Sequence, residues 1–437
     1  MAILSTSGTW TVGSNWPWPR LFVTDYYLLA IAVDGTDLSL YELYSAGSDF
    51  TAVKVQTLGA LTDVDEISLT FAERHYVVSV FSFTDDVPTI NMWGRWARAV
   101  PGENAMVPIS SDFIPGGTAL CYFKGQLLVG GLKTNSLKWA ELGQCAVAWG
   151  GIGNVTFDPV VEPMAGFAKM PWDRSGKGKV YYITQHGENE VVVYGSGGIE
   201  KLTPFGNDVI TGFGQSTIQL GGVLGFGCAG GTKDYQCFID NAFNLCTLTD
   251  SIKVLGYKNY MKKLTPERVV ISFDPLERNF YITDGIYCFV LTTKGLYETH
   301  QCPTSIGRID GTLTGFIKHT SQAEIKLETT EIDLKSSGLK TVNSVEYNVD
   351  YETSVNAQLY GSASARYTHK GEMITGRMSM LNNEGTFFPF ITGRSFKFLL
   401  QGDYIPNSTF NLSSVKVNVN FTDVRTRRGM SDTISRT

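Results

Sequence analysis

The feature that most constrains this chain is a recurrence. Six times before residue 300, an alternating apolar run is followed by a turn of Gly, Asp or Asn and then by a second alternating run. The units read Tyr27-Leu-Leu-Ala-Ile-Ala-Val-Asp-Gly-Thr-Asp, His75-Tyr-Val-Val-Ser-Val-Phe, Tyr122-Phe-Lys-Gly-Gln-Leu-Leu-Val-Gly-Gly, Val180-Tyr-Tyr-Ile-Thr-Gln-His-Gly-Glu-Asn-Glu-Val-Val-Val-Tyr, Gly222-Val-Leu-Gly-Phe-Gly and Asn279-Phe-Tyr-Ile-Thr-Asp-Gly-Ile-Tyr-Cys-Phe-Val-Leu. With Tyr27, Tyr76, Tyr122, Val180, Gly222 and Asn279 as markers, the steps are 49, 46, 58, 42 and 57 residues. Period-two alternation marks antiparallel strands, and a unit of roughly 40 to 50 residues has the length of a four-stranded blade. Such a blade cannot bury both faces alone, so blades stack around an axis until the ring closes. The pattern predicts an all-β fold with a β-propeller of about six blades. A pair of β-sandwiches, with turns every 8 to 12 residues or so, is the competing architecture.

Composition agrees with sheets. Only 18% of the 437 residues are charged, 12% are aromatic, and 46 glycines are spread along the chain, which suits strands joined by tight turns better than helices. The one helical signal, residues 250–263, allows a single short turn that Pro266 ends.

Near residue 320 the character changes. An acidic, strand-like run from Ala323 to Leu334 precedes two alternating strands, one through Val345, Val349 and Tyr351, the other through Val355, Ala357 and Leu359. Then Phe387-Phe-Pro-Phe390 leads into Thr392-Gly-Arg-Ser-Phe-Lys-Phe398. In the final strand Val415, Val417, Val419 and Phe421 fall on one face, and Ser414, Lys416, Asn418 and Asn420 on the other. Five antiparallel strands are enough for an independent sandwich. The expected organisation is an N-terminal aromatic arm (1–20), the propeller (21–320), an antiparallel β-sandwich or platform domain (321–429) and a short tail (430–437).

Catalytic motifs are scarce. Gly225-Phe-Gly-Cys-Ala-Gly230 matches a dinucleotide fingerprint by letter, but Thr232-Lys-Asp-Tyr-Gln-Cys-Phe-Ile reads as a strand where a helix must receive the pyrophosphate. Glycines for a tight hairpin account for it better. The five histidines are scattered singly, whereas metal ligands come in close groups. Asp274, Glu277 and Asp284 form the densest carboxylate group of the repeat region. Glycoside hydrolysis needs a pair of carboxylates, yet Asp-Pro and Asp-Gly are turn chemistry. No catalytic residue, cofactor or metal is predicted.

The seven cysteines are odd in number and include no Cys-x-x-Cys pair; Cys121, Cys237, Cys246 and Cys288 sit in apolar strands as small hydrophobes. No stretch approaches the roughly 18 apolar residues of a membrane span, and Met-Ala-Ile-Leu-Ser-Thr-Ser-Gly lacks the marks of a secretory signal, so synthesis in a cytoplasm is expected. A net charge of −6 argues against a general grip on nucleic acid.

Two clusters are candidate contact sites. Trp10, Trp16 and Trp18 lie within nine residues of the N-terminal arm. Indoles of about 200 Å² each would dock on another domain or a neighbouring subunit, or close the propeller locally. The arginines Arg394, Arg425, Arg427 and Arg428 form the notable basic group of the C-terminal region. Arg forks suit carboxylates on a neighbouring subunit or ring.

The order of the C-terminal parts resembles the C-terminal domain of the tail nozzle, or packaged-DNA stabilisation, proteins of short-tailed bacteriophages. The likeness is carried by an acidic-aliphatic strand, two alternating strands, Gly393-Arg394 before an aromatic strand, and a last strand running into Thr426-Arg-Arg-Gly429. Phe123-Lys-Gly-Gln-Leu-Leu-Val-Gly-Gly131, Val192-Val-Tyr-Gly-Ser-Gly-Gly-Ile199, Phe273-Asp-Pro and Leu291-Thr-Thr-Lys-Gly-Leu-Tyr-Glu298 look like the propeller of the same proteins. The resemblance implies a non-enzymatic virion component made in the host cytoplasm. It implies a homohexamer below the portal and adaptor rings, with tail fibres or a needle as further partners, that lets double-stranded DNA pass without sequence-specific binding. The part before the propeller is shorter here than in the family. The alternative is a glycan-active or glycan-binding β-propeller, such as a polysaccharide lyase, a hydrolase or a lectin.

Overall fold

In the computed structural model the described residues are 2–3, 16–23, 28–46, 49–72, 75–81, 92–94, 107–108, 116–132, 143–172, 177–206, 212–299, 301–309, 312–319, 324–334, 338–351, 359–368, 370–403 and 410–422. The chain divides into two compact units, Met1–Thr320 and Ser321–Thr437.

The first unit is a β-propeller built from four-stranded antiparallel meanders over residues 20–60, 66–108, 119–169, 180–220, 229–256 and 270–299. In each the strands pair in chain order. The first strands, Arg20–Val23, Glu66–Ala72, Ala119–Phe123, Val180–His186, Ala229–Gly231 and Val270–Asp274, all border one central cavity. A seventh sheet joins these six. In it Gln301–Ile309 pairs with Thr312–His319, and Ala2–Ile3 adds a parallel outer strand with Ala2 opposite Thr314. Gln301–Ile309 borders the same cavity and packs beside both Val270–Asp274 and Arg20–Val23. The expected ring of about six blades is therefore completed by a shorter sheet drawn from both ends of the unit, which a repeat read along the chain cannot reveal.

Stacked blades explain the strands that look apolar on both sides. Val191 and Val193 pack with Leu128, Val147 and Ile183 in the seam towards the third blade, whereas Val192 and Tyr194 pack with Phe238 and Cys246 in the seam towards the fifth. Successive side chains of one strand thus fill opposite seams. All four are fully buried.

Short hydroxyls join inner strands to their neighbours. Ser68 Oγ accepts the Leu120 N–H at 2.9 Å, Thr118 Oγ1 donates to the Val180 carbonyl at 2.8 Å, and Ser79 Oγ donates to the Gly117 carbonyl at 2.6 Å. At the closing seam Ser305 Oγ accepts the Leu21 N–H and Thr304 Oγ1 donates to the Pro19 carbonyl. An inner strand has a free edge, and these contacts satisfy backbone groups that burial would otherwise leave unpaired.

The glycines of Val192-Val-Tyr-Gly-Ser-Gly-Gly-Ile199 make room for one indole. A Cβ on Gly195, Gly197 or Gly198 would lie 2.1, 2.8 or 2.6 Å from the Trp172 ring. The only helices among the described residues are Lys258–Met261 and the 3₁₀ turn Pro266–Arg268, where the sequence allowed one turn and an end at Pro266. Among the described residues no helix is long and apolar enough to cross a membrane.

The second unit is a sandwich. One sheet has Ser395–Asp403 between Glu324–Glu328 and Leu359–Arg366, with Met373–Thr375 and Ser379–Met380 on the far side of Leu359–Arg366. In the other, Lys340–Tyr351 lies between Phe410–Phe421 and the short strands Thr386–Phe387 and Ile391–Gly393. Val342, Val345, Val417 and Val419 from one sheet meet Ala363, Phe396, Phe398 and Leu400 from the other in a single core. Asn418 and Asn420 face outwards, as the alternation requires.

Candidate functional site

The central cavity of the propeller encloses about 780 Å³, a volume within the range of roughly 300 to 1,000 Å³ usual for small-molecule sites. Aliphatic, aromatic and hydroxyl side chains together make up most of its wall. Among the described residues that line it, Glu66 is the one carboxylate and Arg20 the one cation. Their side chains are 22% and 19% exposed and stand 3.7 Å apart across the seam between the first two blades. Burial pulls the Arg20 guanidinium below its ordinary range and pushes the Glu66 carboxyl above its own, and each charge opposes the other's shift. Trp18 lies under the guanidinium, 5.6 Å from ring centroid to Cζ.

A carboxylate pair of the kind glycoside hydrolysis uses is not found among the described residues of this wall. The other carboxylates that drew attention are turn residues. Asp274 Oδ1 accepts the Leu276 N–H at 3.1 Å, and Glu277 Oε2 accepts from Asn279 Nδ2 at 3.0 Å. Asp284 Oδ1 accepts the N–H groups of Ile286 and Tyr287 at 2.9 and 2.8 Å, and its Oδ2 accepts the Thr265 N–H at 3.0 Å. Asp274 and Asp284 are fully buried. Among the described residues no group of three His, Cys, Asp or Glu side chains is placed to hold a metal.

Gly225-Phe-Gly-Cys-Ala-Gly230 leads into the strand Ala229–Gly231, not a helix. The expected hairpin does not turn here: the Cys228 N–H donates to the Gly225 carbonyl at 3.2 Å in a turn ahead of the inner strand, and the hairpin that follows turns at 232–235. A Cβ on Gly227 would sit 1.7 Å from the Val269 carbonyl oxygen, and one on Gly230 would sit 2.7 Å from that of Ile271. The motif lets the fifth and sixth blades touch backbone to backbone.

Trp16 and Trp18 are spent inside the propeller. Trp16 Nε1 donates to the Arg268 carbonyl at 2.8 Å, and its ring joins Tyr281, Cys288, Cys302 and Ile306. Trp18, only 7% exposed, packs with Leu29, Ile31, Ile67 and Val78. Of the two places expected for the arm, these two indoles take the local one. Trp10 lies outside the described residues.

In the sandwich, Arg394 is the residue at which the chain changes sheets. Ile391–Gly393 pairs with the strand of Lys340, and Ser395–Asp403 pairs with Leu359–Arg366. Gly393 permits the crossing, since a Cβ there would lie 2.8 Å from the Ala365 Cβ. The Arg394 N–H donates to the Arg366 carbonyl at 2.8 Å. Beside it the fully buried Lys340 donates to the Asp333 carbonyl at 2.6 Å; burial pulls its ammonium below the ordinary range, with Asp333 opposing and Arg394 adding to the fall. The Arg366 guanidinium grips Glu331 with both arms, at 2.8 and 3.0 Å. Arg425, Arg427 and Arg428 lie outside the described residues.

Sequence reasoning missed the most exposed apolar feature of this unit. Ile374, Met378, Met380, Phe388 and Phe390 are 42 to 68% exposed. They fall within residues 373–393, a stretch that borders first one sheet and then the other. The Phe388 and Phe390 rings stack with centroids 6.3 Å apart. Phe387-Phe-Pro-Phe390 was the available signal, one buried ring followed by two exposed ones.

No family model and no curated protein matches the sequence. Among solved structures, exo-β-1,3-galactanase from Phanerochaete chrysosporium aligns over 91% of this chain and 95% of its own at 10% identity and a TM-score of 0.33. The extracellular domain of a hybrid two-component system protein from B. thetaiotaomicron aligns over 85% of this chain and 46% of its own at 10% identity, with a TM-score of 0.41. The WD40 domain of SCAP from fission yeast aligns over 83% and 75% at 10% identity, with a TM-score of 0.30. At these scores the likeness carries no argument about this chain's chemistry or assembly.

Proposed function

We propose that the chain is a structural, non-catalytic component of a short-tailed phage tail, a subunit of the nozzle ring below portal and adaptor that extends the channel for DNA ejection. The observation that carries this reading is the set of exposed apolar side chains of the sandwich between Ile374 and Phe390, including the stacked rings of Phe388 and Phe390, which a neighbouring protein would cover. It lies beside Gly393-Arg394, the motif that carries the resemblance to nozzle proteins. The cavity wall, with one carboxylate already opposed by an arginine, supports a non-catalytic role. Subunits related by cyclic symmetry would place one patch against a different patch on the next copy until the ring closes. In such an assembly the DNA follows the axis of the ring. The propeller's own cavity has only a small-molecule volume.

Electron-microscopic class averages of particles that contain the protein, or of the purified protein with portal and adaptor, should reveal a six-fold ring with an axial hole. Removal of residues 425–437 should abolish incorporation into tails while the monomer stays folded. Normal tails built from the truncated protein, or a strictly monomeric product that cleaves capsular or lipopolysaccharide glycans, would overturn the reading.

A further inference from the structure

The charged pair in the central cavity has an unusual spacing. Glu66 and Arg20 face each other at 3.7 Å, beyond hydrogen-bond length, and both are partly open to the cavity. The carboxylate therefore keeps acceptor capacity on the cavity side and the guanidinium keeps donors there. Two neighbouring hydroxyls on a ligand match that arrangement, one donating to Glu66 and the other accepting from Arg20. The ligand would be neutral overall, because the pair cancels its own charge.

The rest of the wall fits the same chemistry. The Tyr181 and Phe226 rings meet edge to face at 4.5 Å on the far side of the ring, and both border the cavity. Their apolar surface can receive the C–H face of a pyranose, while Thr70 beside Glu66 borders the cavity with a further hydroxyl. Trp18 beneath the Arg20 guanidinium fixes its direction in advance, which lowers the ordering cost of binding.

We propose that this central cavity is a binding site for a neutral saccharide, held by a vicinal diol bridging Glu66 and Arg20 and by a sugar face on Tyr181 and Phe226. Nothing in this depends on the tail assignment; the site is a property of the propeller alone.

Saturation-transfer difference NMR on the full chain tests it, with D-glucose, D-galactose and D-xylose as separate probes at millimolar concentration. At least one should receive saturation, with a Kd that titrates. Glu66→Gln and Arg20→Met should each weaken it about tenfold or more, the scale of a hydrogen bond to a charged partner. Phe226→Leu, which leaves the ion pair in place, should weaken it too, whereas Lys233→Gln on the surface should not. Thermal melts and circular dichroism accompany each variant, so that loss of binding is read only from folded protein. No transfer to any of the three sugars, or transfer equal in Glu66→Gln, Phe226→Leu and the parent chain, would overturn the proposal.

Discussion

Thr304 Oγ1 donates a hydrogen bond to the carbonyl oxygen of Pro19, joining positions 285 residues apart at the seam where the propeller closes. Beside it Ser305 Oγ takes the Leu21 N–H. The last inner strand is thus tied to the first by two side chains that are nearly absent from the surface.

Removing these hydroxyls should loosen the ring at one place. Thr304→Val leaves the Pro19 carbonyl buried without that donor, and Ser305→Ala does the same to the Leu21 N–H, each costing about 1 to 3 kcal/mol. Urea titrations followed by tryptophan fluorescence should give lower midpoints for both. Parent-like midpoints would mean that the closing seam is held by packing alone.

The Trp172 seat should tolerate no added methyl. Gly195→Ala and Gly198→Ala each push a Cβ into the indole, and overpacking of this kind costs about 1 to 3 kcal/mol or more. Trp172→Ala should cost about 3 to 5 kcal/mol through the cavity it leaves. The double change Gly198→Ala with Trp172→Ala should be less harmful than the sum of the two, which calorimetric melts can resolve.

All seven cysteines are buried, and none forms a disulfide. Burial pushes the thiols of Cys121, Cys228 and Cys246 up to about 12, so the reactive thiolate is scarce at neutral pH. A disulfide reagent such as DTNB should find no fast thiol in the native protein and seven after guanidinium unfolding. A fast-reacting native thiol would place one of these cysteines in a looser setting.

Acid should weaken the sandwich through Glu331. The Ser395 hydroxyl, followed by the Arg366 guanidinium, holds this carboxyl below its ordinary value of 4.5. A carboxylate depressed on folding adds stability above its unfolded value and loses it as pH falls through the folded one. The melting temperature should therefore drop on acidification from about pH 4.5 downwards, and the drop should be shallower in Glu331→Gln. Identical pH profiles would remove Glu331 from the account.

Charge placed on the exposed apolar stretch should separate assembly from folding. Phe390→Glu with Met380→Glu alters side chains that are already more than half exposed, so circular dichroism and melting should change little. Ring formation in the electron microscope should be lost. A ring that survives both changes would place the subunit contact elsewhere.

Alternation and period alone carried much of the architecture. Many of the strands, the single helical turn before Pro266 and the inward face of Val417 and Val419 follow from which residues avoid water in a two-residue rhythm. Of the strand expected through Val355, Ala357 and Leu359, Val355 and Ala357 lie outside the described residues and the strand runs over Leu359–Arg366. The turn reading of Asp274 and Asp284 could also be taken from their Pro and Gly neighbours. The seventh sheet could not, because Ala2–Ile3 meets Thr314 only after the ring has formed.

Other features depend on which atoms folding brings together. The chain by itself does not say that the glycines at 227 and 230 admit the backbone of the next blade, or that those at 195, 197 and 198 admit Trp172. Nor does it say that Arg20 and Glu66 face one cavity while Trp16 and Trp18 are used up beside it. Local pattern determines a strand's faces because side-chain direction is set residue by residue. Which strand each face meets is decided by closure of the ring, a long-range event that no short stretch of sequence encodes.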